Sequence, residues 1–432
     1  MENHRIRHKL VLLMVMLCLL ITTAGCGSGD EQALPAMDML PKVSVPEHTD
    51  VDVYWDATYS MQGFTTVPQD NFYRTLPDQL SDIGSSMGTV TFYRFGESVQ
   101  QLEGRQHRDF ANPATYNEVT TAIHNVIDTS STDHLTIIVT DLFESNADWS
   151  NVAQKIKEKY FAKHQAVAVI GIRNPFKGDI FDVGLDAAKF TYDSGSNPAA
   201  YRPFYLVVMG SEGQVTDFIK RWKSRTSGGP EMHYLVLSEN LLQDTPTLAT
   251  METTETENLY PDSTIKQQDK RVKEYGIDSK TKPVSLSAAF TYKQDTDRCV
   301  LDLSKVKFYG QVMTATDGQW QPASMDVDLN GSIEKDPDKD NGYIMHMKFT
   351  PEASLTRGSW NLVTASIVPA QDGITLPKWV ADWNMDGAQI TQGNMDGSKT
   401  ANIRRLLESL KDASMEAAHP MISSMTIVIN YR

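Results

Sequence analysis

The chain has 432 residues, of which 40% are hydrophobic and 22% charged, with a formal net charge of −15. That is more than one ordinary domain needs, so two or three folded units are expected. So acidic a balance excludes nucleic acid as a partner and argues against direct binding to anionic lipid.

Residues 1–25 read as an address rather than as fold. Arg5, Arg7 and Lys9 precede the apolar run Leu10 to Ile21, and small residues then lead to Cys26. This is the layout of a secretory signal, and the run is too short to span a bilayer comfortably. Thr23-Ala24-Gly25-Cys26 resembles the end of a bacterial lipoprotein signal, which implies a lipid on Cys26 as the first mature residue. Thr23 departs from the leucine usual at its position, and an ordinary signal cut nearby is the alternative. Losing residues 1–25 removes three Lys/Arg and one Glu, taking the charge from −15 to −17. Residues 26–49, polar and opening with Gly27-Ser28-Gly29, suit a flexible tether. The expected location is the extracytoplasmic face of the cell membrane, held by the lipid. With Cys18 in the signal and Cys26 acylated, Cys299 is left without a disulfide partner.

Residues 50–240 read as strands alternating with helices. Val51 to Trp55 is rich in β-branched and aromatic residues and predicts a strand buried on both faces. Helical spacing follows over Asn71 to Ser85, then strands over Thr89 to Phe95 and Val99 to Leu102. A helix is expected over Tyr116 to Ile127, with Val119, Ile123 and Val126 on one side. Leu135 to Thr140 is the clearest buried strand; a helix over Trp149 to Tyr160 and a strand over Ala166 to Ile172 come next. Phe204 to Met209, a helix near Val215 to Trp222, and Tyr234 to Leu237 continue the alternation. The expected fold is α/β, a doubly wound and mostly parallel sheet.

The chemistry-bearing residues collect at strand ends. Asp56, Thr58 and Ser60 stand at alternate positions after the first strand, a carboxylate and two hydroxyls suited to Mg²⁺, which takes six oxygens at about 2.1 Å. Asp141 ends the Leu135 strand, and ligands of such sheets sit at the carboxyl ends. Thr115, in the loop Ala111 to Thr115, is placed to bend over the same edge. This series of strand-DxTxS, helix, strands, loop threonine, helix and strand-TD resembles the von Willebrand factor A-type domain over about residues 50–175. The resemblance implies a metal-ion-dependent adhesion site formed by Asp56, Thr58, Ser60, Thr115 and Asp141. It implies Mg²⁺, or Mn²⁺ or Ca²⁺, and a protein partner offering Asp or Glu. Thr58 stands where serine is usual, and Leu142 where a glycine often follows the Asp. The site without metal, with Asp56 capping a turn, is the plain alternative. A metal-dependent hydrolase using Thr58 or Ser60 as nucleophile is the competing function. His107, His124, His134 and His164 fall in no metal-ligand spacing, and GxSxG is absent.

Residues 241–282, rich in Thr and Glu, read as a linker, with a helix within Ser263 to Tyr275. Residues 283–432 read as a β-sandwich-like unit: strands over Val284 to Tyr292, Lys305 to Met313, Tyr343 to Phe349 and Trp360 to Val368. A helix over Thr400 to Met415 and a final strand over Met425 to Tyr431 complete it. Asp336 to Gly342 reads as an acidic hairpin turn rather than a calcium loop. Trp379 and Trp383 are either core or an aromatic patch facing a partner.

Overall fold

The structure is a computed structural model. It describes residues 44–431 apart from 68–70, 143–148, 182–188, 241–251, 263–271, 280, 317–318, 324–327, 352–354, 392 and 419–421. The expected signal, the expected lipid attachment at Cys26 and the helix expected after Ser263 therefore lie largely outside the described residues.

The first sheet grows from β1 (Val51–Asp56), every residue of which is buried. Its alternation sorts side chains onto two faces. Val51, Val53 and Trp55 enter a core shared with α2 (Leu76–Met87) and α5 (Glu212–Arg225) through Leu76, Leu80, Ile83, Val215, Phe218 and Trp222. Tyr54 enters a second core with Ile123 and Val126 of α3 (Ile123–Thr129) and Val152 and Ile156 of α4 (Trp149–Lys159). Between β1 and α2 comes the single turn α1 (Tyr59–Gln62). Helix α5 begins with a reciprocal cap, Ser211 with Gln214, which satisfies two amides that would otherwise lack partners.

The other strands of this sheet are β2 (Val90–Phe95), β3 (Val99–Gln101), β4 (Leu135–Thr140), β5 (Ala166–Asn174), β8 (Arg202–Gly210) and β9 (Met232–Leu237), in the order β3-β2-β1-β4-β8-β5-β9. Only β2–β1 and β1–β4 pair in parallel; the other four pairings are antiparallel. The expectation of a doubly wound, mostly parallel sheet is therefore corrected: the sheet is mixed. The reason lies between β5 and β8. Among the described residues no α-helix crosses there; the chain forms a hairpin of β6 (Lys177–Phe181) and β7 (Lys189–Asp193) and returns reversed, inserting β8 between β4 and β5. Hydrophobic periodicity marks a buried strand but carries no direction.

Beyond residue 251 the chain is predominantly strand, and the protein as a whole is more β than α, with sandwich character. One sheet has the order β10-β13-β18-β17, from β10 (Glu252–Glu257), β13 (Val284–Thr291), β17 (Leu329–Lys335) and β18 (Gly342–Phe349). The other runs β11-β12-β23-β19-β15-β16, from β11 (Tyr260–Pro261), β12 (Lys273–Ile277), β15 (Val306–Thr316), β16 (Gln319–Pro322), β19 (Trp360–Pro369) and β23 (Ser423–Tyr431). Two-residue strands β14 (Val300–Leu301) and β20 (Ile374–Thr375) pair alongside. The linker expected over 241–282 thus contributes β10, β11 and β12 to the sheets. Glu252–Glu257 is an exposed edge strand, where alternating Thr and Glu suit a solvated ladder and mimic a linker in composition. Asp336 to Gly342 closes the β17–β18 hairpin, with Asn341 at φ 55°.

The two halves do not have separate cores. Helix α8 (Ile403–Ala418) sets Ile403, Leu406, Leu407 and Leu410 into one continuous apolar cluster that reaches Val152 and Ile156 of α4 and Leu286, Met345 and Ile427 of the sandwich. Ahead of it, α6 (Lys378–Asp382), β21 (Asn384–Met385), α7 (Gly387–Thr391) and β22 (Thr400–Ala401) form a strap against the first sheet. Trp379 and Trp383 are buried there rather than facing a partner. Trp379 stacks on His233 at 5.6 Å, and the Arg173 guanidinium lies 4.8 Å from the Trp383 ring.

Candidate functional site

At the end of β1 the Asp56 carboxylate is sealed from solvent. Its Oδ1 accepts from the Thr58 hydroxyl at 2.7 Å and the Thr58 amide at 3.0 Å, and its Oδ2 accepts from the Thr140 hydroxyl at 2.9 Å. Thr58 Oγ1 lies 3.1 Å from Ser60 Oγ, and the Thr121 hydroxyl donates to it at 3.3 Å. Asp141, also buried, meets the Arg202 guanidinium at 3.4 Å. Burial first, and then the neighbouring Asp141, push Asp56 up to about 7, against the downward pull of the Thr58 and Thr140 hydrogen bonds.

Backbone pairing builds this cluster. The stretch expected as the first turns of a helix, Tyr116 to Ala122, instead spends its hydrogen bonds on other parts of the chain. The Asn117 and Glu118 amides bond the Ala57 carbonyl, the Tyr59 amide bonds the Glu118 carbonyl, and the Ala122 amide bonds the Gly96 carbonyl. The helix starts only at Ile123. From the opposite face of β1, Trp55 Nε1 donates to the Tyr73 hydroxyl at 2.7 Å. Tyr73 lies 2.9 Å from the Tyr116 hydroxyl, which donates to the Phe110 carbonyl at 2.8 Å. That network pins the loop at Tyr116 and lays the following residues across Ala57 to Tyr59.

One threonine changes place as a result. The Thr115 hydroxyl donates to the Asp109 carbonyl at 2.7 Å, and Thr121 is the loop threonine in contact with Thr58. Thr115, expected at the site, thus bonds away from Thr58, and Thr121 reaches Thr58 instead; the periodicity that put 121 inside a helix hid it. Asp56, Thr58 and Ser60 come together as a contiguous hydroxyl-carboxylate chain, and Asp141 is the carboxylate that acts on Asp56. Leu142, in place of the glycine, has φ 61°, the left-handed region that glycine tolerates and leucine resists. Strain of this kind gathers at functional loops.

Arg202 is the residue that sequence reasoning missed. It opens β8 and is paired with Asn174 at the end of β5, so the reversal of β8 carries it to the carboxyl edge. A parallel strand would have put it at the far edge. Its Nη1 also donates to the Gly397 and Lys399 carbonyls of the strap at 3.4 and 3.3 Å, and its guanidinium lies 5.4 Å from the Phe176 ring.

Chemically the cluster offers two carboxylates and the hydroxyls of Thr58, Ser60, Thr121 and Thr140, all hard oxygen donors of the kind Mg²⁺, Mn²⁺ and Ca²⁺ take. Arg202 pairs with Asp141 alone, so Asp56 as an anion would be an unbalanced charge in a sealed place, which a proton on it or a cation would offset. Among the described residues no three His, Cys, Asp or Glu side chains converge as a metal-binding group, so hydroxyls would have to complete any coordination. Three of the four histidines weighed for hydrolysis lie elsewhere: His107 stacks on Phe92, His134 bonds Asp52, and His164 bonds Glu239.

No protein-family model and no curated protein matches the sequence. Among solved structures, the archaellum periplasmic stator protein FlaG from Sulfolobus acidocaldarius is 13% identical, covering 22% of this chain and 84% of its own at a TM-score of 0.12. AggA, the major subunit of aggregative adherence fimbriae type I from Escherichia coli, is 10% identical, covering 45% of this chain and 99% of its own at a TM-score of 0.15. Scores this low carry no argument about fold or function.

Proposed function

We propose that this chain is a lipid-anchored extracytoplasmic binding protein that takes a carboxylate of a protein partner through a divalent cation at the Asp56 loop. The supporting observation is the sealed meeting of Asp56 with the hydroxyls of Thr58 and Thr140 beside Asp141, in which Asp56 is pushed up to about 7. A carboxyl group so disfavoured as an anion is one that a cation would stabilise strongly. Asp56, Thr58, Ser60, Thr121 and Asp141 would hold the ion; when bound, it would supply a positive charge that an incoming carboxylate offsets. The chain's own residues orient the donors: Thr58 and Thr140 fix the two oxygens of Asp56, and Arg202 holds Asp141. The motif resembles the von Willebrand factor A-type adhesion site in its loops, while the sheet beneath is mixed. Cys26 and the tether are proposed to keep this body at the membrane.

Calorimetric titration of the full-length protein with MgCl₂ and MnCl₂, wild type against Asp56→Asn, tests the reading. Heat in the wild type and none in the variant is expected. Equal heats, or none in either, remove the cation. Phosphatase or esterase turnover that disappears in Thr58→Ala would replace binding with hydrolysis at the same strand ends.

A further inference from the structure

Two of the six large apolar side chains that stand exposed among the described residues are neighbours, and both border the Asp56 cluster. Val119 is 80% exposed and Tyr59 43%. Thr58 bridges Glu118, and the Tyr59 amide bonds the Glu118 carbonyl at 3.1 Å, so the two loops present them side by side. Isolated apolar residues on a surface need no explanation. These two are adjacent, lie on separate segments, and are held up by the same backbone bonds that bring Thr58 and Thr121 together. Tucking Val119 inward, as a helix over Tyr116 to Ile127 would have done, would break those bonds.

We infer that Tyr59 and Val119 form the apolar half of a docking surface for a protein segment that presents one Asp or Glu beside an apolar or aromatic side chain. The inference rests on the cation reading for the acidic half of that segment. Charge selects the occupant: around a divalent ion both carboxylates are ionised and their two negative charges cancel the ion's two, so Arg202 beside Asp141 leaves one unit positive, which a single carboxylate cancels. The apolar neighbour then covers Tyr59 and Val119. Arg94, bonded to Asn117 and Glu118, supplies a polar rim beside them, the arrangement of an apolar centre with a wet border.

The test uses full-length protein on an array of synthetic heptapeptides with a central Glu and each residue type in turn beside it, in Mg²⁺ and in chelator. Peptides pairing Glu with Leu, Phe, Tyr or Trp should be retained in Mg²⁺. The double variant Tyr59→Ser/Val119→Ser should lose about tenfold in retention, with its Mg²⁺ heat unchanged. Val300→Ser, an exposed apolar residue elsewhere, should lose nothing. Retention that ignores the residue beside Glu, that survives the double variant, or that never occurs overturns the inference. Retention that survives chelation but still depends on Tyr59 and Val119 sinks the cation and leaves the apolar surface standing.

Discussion

The two edges of the first sheet both gather acidic side chains, from the same strand, and treat them in opposite ways. Asp52 and Asp56 are four residues apart on β1 and share a face, with Tyr54 between them in the core. At the amino edge Asp52 meets His134 at 2.8 Å, and His48 lies 3.0 Å from Asp50. Hydrogen bonds from Thr89 hold Asp50 below the ordinary carboxylate range. Each carboxylate there has a histidine partner, and water reaches Asp50 and the histidines. At the carboxyl edge Asp56 and Asp141 are sealed, met by hydroxyls and one guanidinium, and Asp56 is driven upward. An edge that has balanced its charges explains itself as structure; the unbalanced edge is the one with capacity left for a ligand.

The sharpest way to break the contrast is to remove Arg202. Arg202→Met should cost roughly 3–5 kcal/mol, because it leaves the buried Asp141 carboxylate without its counter-charge; thermal unfolding followed by calorimetry reads it. A loss no larger than that of an amino-edge substitution would show the two edges to be alike.

The next effect is in pH. Asp56 sits at about 7 in the folded chain against an ordinary 3.8, so between those values the folded state holds a proton that the unfolded chain has released. Its contribution to stability therefore falls as pH rises from about 4 to about 7 and is flat above. In chelator, acidification from about pH 8 to about pH 5 should recover on the order of 3 kcal/mol in the wild type relative to Asp56→Asn. Saturating Mg²⁺ should remove that difference; identical pH profiles for the two proteins would contradict the sealed-carboxylate picture.

A smaller change separates the two loop threonines. Thr121→Val should weaken Mg²⁺ binding about tenfold, the worth of roughly one hydrogen-bonding oxygen, while Thr115→Val leaves the calorimetric heat unchanged. The reverse pattern would return Thr115 to the site. Smallest of all, His134→Gln should cost about 1 kcal/mol, since the pair it breaks is half open to water, and should leave cation binding untouched.

How much of this was legible differs by level. Elements with strong burial patterns, Leu135 to Thr140 and Ala166 to Asn174, stand close to where their β-branched runs place them, because a strand buried on both faces is written in consecutive apolar residues. The motif residues Asp56, Thr58 and Ser60 are legible for the same reason: they follow such a strand within five positions. Edge strands were not, since Glu252–Glu257 reads equally as solvated ladder or as linker. Nor was the loop from Tyr116 to Ala122, whose apolar spacing satisfies a helix that its backbone does not adopt.

By itself the sequence determined the acidic character of the chain, its strand cores and the oxygen-bearing residues of the first loop, because these depend on local composition and spacing. Only the tertiary structure decided the direction of β8, the contact of Thr121 rather than Thr115 with Thr58, the delivery of Arg202 to Asp141, and the exposure of Val119 beside Tyr59. Each of those turns on which backbone groups pair across distant stretches of chain. Hydrogen bonding between segments more than fifty residues apart leaves no periodic trace in either of them.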